Sequence, residues 1–364
     1  VPGDTLLLDD GQIVLDVERV EGTRITTRVK LGGRLTNHKG LNKQGGGLSA
    51  PALTDKDRRD IEAAARLGLD FLSVSFARSA EDIEEARSLL RKAGGEAHIV
   101  AKIERAEAVQ NIRSIIDASD VIMVARGDLA VEVGYAAMTG LQKGLIRLAR
   151  SRNRVCITAT QMLESMIHAP SPTRAEVTDV ANAIFDGTDA LMLSGETAVG
   201  HDPSLVVSTM ATIAARAEAE ASYRQWAARL GRIQRARWAS VDDKITAALT
   251  HAASQAAEDV EATAILCCTT TGRTARAMAR FRPNAQLIAL SHRRHTVNAL
   301  TLTWGVDPVE VGYYSSTDEM VWFAVETAVQ RGRIQRGDAV VVLAGSPERS
   351  AETAADVLRI VQVA

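Results

Sequence analysis

From Thr54 onward, short apolar runs alternate with stretches whose apolar residues recur every three or four positions. TDKDRRDIEAAARLG opens with a threonine cap and an acidic first turn and closes at glycine, which predicts a helix. FLSVSF predicts a strand, AEDIEEARSLLRKAGG a second helix and HIVAKI the next strand. The alternation continues through AVQNIRSIIDAS, VIMVARGD, YAAMTGLQKGLIRLARSR, RVCITATQ, TRAEVTDVANAIFDG, ALMLSGE and PSLVVSTMATIAARAEAEAS. The strands are apolar almost throughout, as parallel strands covered on both faces must be. The pattern predicts about five β/α units of a (β/α)8-type TIM barrel.

The flanking segments read differently. Before Leu53 short alternating strands, LLLDDG, IVLDV and TRITTRVKLGGRL, predict part of a small β module, and GLNKQGGGLSAP predicts a glycine-rich loop or hinge out of it. An Arg-rich connection spans Ala227 to Asp243. After it, ATAILCCTT, TGRTARAMARF, AQLIALS, a short helix near Thr296 to Leu302, VDPVEVG, DEMVWFAVETAVQRG and DAVVVLAG predict a compact open α/β domain. The expected division is 1–51, part of a small β module; 52–226, a barrel segment; and 227–364, linker and α/β domain.

Candidate chemistry lies where the barrel strands end. HIVAKIE closes on Lys102 and Glu104, and VIMVARGD on Arg126 and Asp128. Residues two apart in a strand share a face, so the pattern predicts four charges converging at one mouth. Ser73 and Ser75, Thr158 and Thr160, and Ser194 and Glu196 extend the series. Two carboxylates without a nearby histidine or cysteine suit Mg2+ rather than zinc, although each carboxylate taken singly also fits a plain salt bridge to Lys102 or Arg126. Lysine can neutralise charge on a transferring phosphoryl group, and hydroxyls can relay a proton. Gly127 and Asp128 lie where backbone amides can hold an anion.

Composition narrows the remaining classes. In 364 residues, 46% are hydrophobic and 24% charged, and the net charge is -2, so there is no basic field for nucleic acid. Cys156, Cys267 and Cys268 cannot make a disulfide framework and read as buried thiols in a reducing, cytoplasmic setting. No apolar run approaches the ~18 residues of a membrane helix. Met162, Met166 and Met210 read as core, and His292 and His295 as surface residues.

PALTDKD, SVSFARSAEDI, AKIE, IMVARGDLAVEV, ITATQMLESMI and PSPTRAEVTDVANAIFDGTDALMLSGETAVG together closely resemble pyruvate kinase, and DDG, KGLN and the last domain also fit. NKQGGGLSA resembles the bacterial class that responds to AMP or sugar monophosphates. The resemblance implies phosphoryl transfer from phosphoenolpyruvate to ADP, giving pyruvate and ATP, with Mg2+ (or Mn2+) and K+, in a homotetramer. It makes Glu104 and Asp128 the metal ligands and sets Lys102 at the phosphoryl group. Gly127, Asp128 and Thr160 would hold the pyruvate carboxylate and oxygens, Ser194 and Glu196 would form part of a proton relay, and Asp10 and Lys39 would belong to the lid over the nucleotide. Thr269, Thr270, Thr271, Gly272, Arg273 and Thr274 would bind the effector phosphate, with AGSPERSAET closing over it. Without the resemblance, the arginines of that segment fit a solvated helix face equally well.

Three departures stand out. Ala130 replaces a usual glycine, which would cost on the order of 1 kcal/mol if the site needed positive φ. Arg105 replaces a frequent asparagine, with no expected consequence for the metal. The chain also begins inside the lid module, so the expectation is a piece of a longer protein or a defective one. A non-catalytic fragment that keeps effector binding or oligomerisation is the alternative, and an aldolase or lyase on a similar Mg2+ barrel is a third reading.

Overall fold

A computed structural model describes residues 1–9, 11–37, 39–47, 51–221, 241–314, 316–345 and 355–364. They fall into two units, Val1–Ala219 and Glu220–Ala364. In the first, β1 (Thr5–Leu8), β2 (Ile13–Glu21), β3 (Arg24–Leu31) and β4 (Leu41–Lys43) make an antiparallel sheet in the order β3-β2-β1-β4. The strand β4 falls where the sequence predicted only a loop. Three residues, LNK, are too short to show a period of two, yet Leu41 pairs with Leu8 and Lys43 with Leu6.

The second sheet of this unit is parallel and runs in sequence order: β5 (Phe71–Val74), β6 (His98–Ile103), β7 (Val121–Ala125), β8 (Val155–Ala159) and β9 (Ala190–Met192). The helices that precede or follow these strands are α1 (Asp55–Leu67), α2 (Ala80–Lys92), α3 (Ala106–Gln110), α4 (Ile112–Ala118), α5 (Arg126–Val133), α6 (Tyr135–Ser151), α7 (Arg174–Asp186), α8 (Gly195–Ala198) and α9 (Pro203–Glu220). Local signals set their ends. Thr54 and Asp57 form a reciprocal cap on α1, Thr173 and Glu176 one on α7, and Gly68 and Gly187 end these helices in the left-handed region. Every residue of β7 and β8 is buried, which accounts for the unbroken apolar runs. Their core joins Ile83, Leu90, Ile99, Ile103, Ile122 and Leu129, and a second cluster holds Met162, Met166 and Met210.

Register aligns the strand ends. Ile103 pairs with Val124, Ala125 with Ala159, and Ala159 with Met192, so the residues that follow each strand emerge along one edge. In the second unit the order is β12 (Val306–Glu310), β11 (Gln286–Ser291), β10 (Ala264–Cys268), β13 (Ala339–Ala344) and β14 (Val357–Gln362). The last of these, an antiparallel edge strand on an otherwise parallel sheet, went unread in VLRIVQ. The short helix expected near Thr296 to Leu302 runs Arg294–Leu300.

Candidate active site

Glu104 follows the last residue of β6 and is 1% exposed. Its Oε1 lies 2.6 Å from Lys102 Nζ, and its Oε2 accepts the Phe76 amide at 2.7 Å. Lys102 also donates to Ser75 Oγ at 3.0 Å. A carboxyl group this deep needs such partners, because burial removes the water that would otherwise solvate it. Phe76 takes φ 55°, a costly conformation for a bulky residue, and in that conformation its amide meets Glu104. The same-face reading of Lys102 and Glu104 therefore holds at atomic distance.

The second charged pair behaves differently. The strand stops at Ala125, and RGDLAVEV is the helix α5, so Arg126 and Asp128 are helical residues and not strand residues. Two positions along a helix are about 200° around its axis, which sends the two side chains apart, so Arg126 does not join the charges expected to converge. The Arg126 guanidinium bonds Asp179 Oδ2 at 2.6 Å, Thr160 O at 2.7 Å, Ala159 O at 3.2 Å and Met162 Sδ at 2.8 Å. Asp128 stays in the first turn of α5, where a helix N-terminus favours an anion. Ala130 is a helical residue outside the positive-φ set, so the glycine-specific cost considered for it does not arise.

Beyond β8 the chain turns through Thr160 at φ 72° and Gln161 at φ 51°, two consecutive left-handed residues that are not glycine. This turn is held from both sides. Arg126 takes its carbonyls, and Glu196, 0% exposed, accepts the amides of Met162 at 3.1 Å and Leu163 at 3.2 Å, with Ser194 N on its other oxygen at 2.9 Å. Gly127 and Thr160 are brought together, and the Gly127 amide donates to Thr160 Oγ1 at 2.9 Å. Thr158, by contrast, is buried and bonds Thr188 Oγ1 at 3.0 Å, so it does not belong to the strand-end series. Sequence reasoning missed Asp179 and Gln142, the α7 and α6 partners of Arg126; DVAN inside an amphipathic helix carries no signal for such a role.

In the β sheet, Lys39 Nζ pairs with Asp9 at 2.8 Å, while Asp10 lies outside the described residues. A methyl group at Gly11 would stand 3.9 Å from Val131 Cγ2 and 4.0 Å from the Tyr135 hydroxyl, so this turn rests against the end of α5 and the start of α6. In the second unit, Thr269 Oγ1 accepts the Gly272 amide at 3.0 Å, Thr296 donates to Thr270 O at 2.8 Å, and Arg276 donates to Thr271 O at 3.1 Å. Arg273 is paired with Asp243, and Thr274 is buried. Most of AGSPERSAET lies outside the described residues. Cys156, Cys267 and Cys268 are buried thiols outside any disulfide, and burial pushes the Cys268 thiol up to about 12.

The donor set can be tested against a metal. Among the described residues no group of three or more His, Cys, Asp or Glu could enclose an ion. Two carboxylates suit Mg2+, which keeps water and substrate oxygens in the remaining positions, and Glu104 and Asp128 supply that kind of donor.

A profile described as pyruvate kinase, barrel domain, matches residues 1–207, and one described as pyruvate kinase, alpha/beta domain, matches 247–361. The chain belongs to the pyruvate kinase family. It is 48% identical over 349 residues to a pyruvate kinase of Haemophilus influenzae, covering 95% of this chain and 71% of that protein. It is also 48% identical over 351 residues to pyruvate kinase II of Salmonella typhimurium, covering 95% and 71%, and 42% identical over 347 residues to a pyruvate kinase of Clostridium acetobutylicum, covering 95% and 72%. Like its family, the chain is mixed α/β and is a phosphotransferase of glycolysis. No helix among the described residues is long and apolar enough to cross a membrane.

Proposed function

We propose that this protein transfers the phosphoryl group of phosphoenolpyruvate to ADP at the ends of β5 to β9, giving pyruvate and ATP. The observation that carries this reading is the buried Glu104 carboxylate joined to Lys102 Nζ at 2.6 Å, on the strand edge that also bears α5 and the Thr160 turn. Glu104 and Asp128 would hold Mg2+, or Mn2+ in its place, which when bound neutralises charge on phosphate and carboxylate oxygens. Lys102 would draw charge from the transferring phosphoryl group. Gly127, Asp128 and Thr160 would orient the carboxylate end of the substrate. Ser194 is exposed at the edge and is the better placed of the predicted relay pair to meet the substrate. Glu196, whose oxygens are taken by three backbone amides, would act as a positioning residue beneath it. Asp10 and Lys39 would close over the nucleotide and exclude water.

Finer features belong to the same reading: dependence on K+, a phosphorylated effector such as AMP or a sugar monophosphate at Thr269–Thr274, a division into lid, barrel and effector domains near residues 51 and 226, and a cytoplasmic homotetramer. The decisive assay supplies phosphoenolpyruvate, ADP, Mg2+ and K+ and follows pyruvate. Glu104→Gln should lower its formation by about a thousandfold. If the wild-type protein forms no more pyruvate than this variant, the reading is wrong and the non-catalytic alternative stands.

A further inference from the structure

Beside Glu104 lies a second ionic cluster that the chemistry does not use. Arg105 is 3% exposed although it bears a full charge, and its Nε stands 3.6 Å from both Glu107 Oε2 and Glu132 Oε1. Glu132, on α5, is equally buried, and its other oxygen accepts the Ala106 amide at 2.8 Å. The Glu107 carboxylate and the Glu132 main chain also reach the glycine-rich segment that leaves β4. Glu107 Oε1 accepts the Gly47 amide at 2.6 Å, and the Glu132 carbonyl accepts the Gly45 amide at 2.9 Å. Gly46, between them, has φ +81°, and a Cβ there would come within 2.8 Å of Glu107 Oε2, so only glycine lets the backbone lie against that carboxylate. On its other side the segment is tied to the β sheet, with Lys43 on Asp4 at 3.0 Å and the Gln44 amide on Thr5 O at 3.0 Å.

We propose that Arg105 is a positioning residue for the lid. By holding Glu107 and Glu132 together it fixes Gly45–Gly47, the strap through which the β1–β4 sheet joins the β/α part, next to the strand end that carries Glu104. Two acids this close repel each other, and Arg105 is the cation between them; removing it loosens the Glu107 carboxylate that holds the Gly47 amide. The consequence is specific, because the strap carries the sheet proposed to close over the nucleotide. A small neutral side chain at this position could not bridge two carboxylates. The inference rests on the phosphoryl-transfer reading for its kinetic part only.

The test uses Arg105→Met, Arg105→Lys and Glu107→Gln in the full protein. Hydrogen exchange is measured over 41–47 and over β6 to β8, and KM is measured separately for ADP and for phosphoenolpyruvate. Arg105→Met should speed exchange of the Gly47 amide by about tenfold or more while β6 to β8 keep their protection. It should raise KM for ADP by about fivefold and change KM for phosphoenolpyruvate by less than about twofold. Glu107→Gln should reproduce the strap effect, and Arg105→Lys should restore most of both. The proposal is overturned if strap exchange is unchanged, if β6 to β8 loosen to the same extent, or if the two KM values move together. Should Arg105→Met not fold, the other two variants decide. Should the wild type make no pyruvate, the functional reading fails, while the exchange measurements still decide whether Arg105 holds the strap.

Discussion

Asp120 stands at the opposite end of the strands that carry Glu104. Burial pushes its carboxyl up, but the His98 ring, Arg87 and the Ile99 amide outweigh that and hold it well below the usual carboxylate range. Its role is to fasten the N-terminal ends of β6 and β7, the face of such a sheet where charge serves stability. A depressed folded-state pKa means that the stabilisation is complete above the ordinary carboxylate range and is lost as pH falls through it toward the folded value. Asp120→Asn should therefore cost about 2 kcal/mol at neutral pH, and the gap to wild type should narrow below about pH 4. Urea unfolding read by exchange of β6 and β7 amides at several pH values measures it; a gap that stays constant down to pH 3 would contradict this account. Lys102 and Glu104 could be paired from the sequence because the strand runs on to Ile103, so that Glu104 follows it with the alternation intact. Asp120 could not be singled out, since a lone acid before an apolar run looks like any loop residue.

Sequence reasoning expected a short helical segment only after Gly127 and so placed the start of α5 too late. VIMVARGD continues an apolar run into charged residues without proline or an evident cap, so periodicity gives no reason to end the strand at Ala125. What ends it is tertiary: the Arg126 guanidinium reaches the carbonyls of the β8 turn and Asp179, which rolls the chain into a helix and leaves Asp128 in the first turn. Two predictions follow the helix geometry. Ala130→Gly, a change toward the usual family residue, should destabilise the protein by about 1 kcal/mol and leave turnover within about twofold, because a helix interior favours alanine. Thermal unfolding and a standard turnover assay check it, and a gain in stability would show that the position wants glycine after all. Arg126→Met should lower pyruvate formation by about a hundredfold, since Thr160 and Gln161 hold their left-handed conformations against Arg126 and Glu196. If the variant turns over normally, the turn keeps its shape without the guanidinium.

At the scale of the molecule, the long apolar strands and capped helices made both sheets legible, because β7, β8, β10 and β13 are buried along almost their whole length and capping boxes mark helices locally. The strands that escaped notice, β4 and β14, are short or lie at an edge, where partial exposure blurs the alternation. The units Val1–Ala219 and Glu220–Ala364 each carry their own core, and in the sequence all four tryptophans, Trp226, Trp238, Trp304 and Trp322, come after residue 219. This separates their signals. Gly272 has φ +78°, and a Cβ there would stand 2.7 Å from Arg276 Nη1 and 3.0 Å from Leu300 Cδ2, inside the buried wall of the second unit. Gly272→Ala should therefore lower the midpoint of unfolding followed by tryptophan fluorescence by an amount equivalent to about 1–3 kcal/mol. Exchange protection of β5 to β9 should stay the same. Activation by AMP or a sugar monophosphate should fall, while turnover without effector stays within about twofold, because the strained turn lies in the proposed phosphate loop and the reacting groups lie in the other unit. Loss of protection across β5 to β9 in this variant would mean that the two units do not unfold independently, and unchanged activation would place the effector elsewhere than Thr269–Thr274.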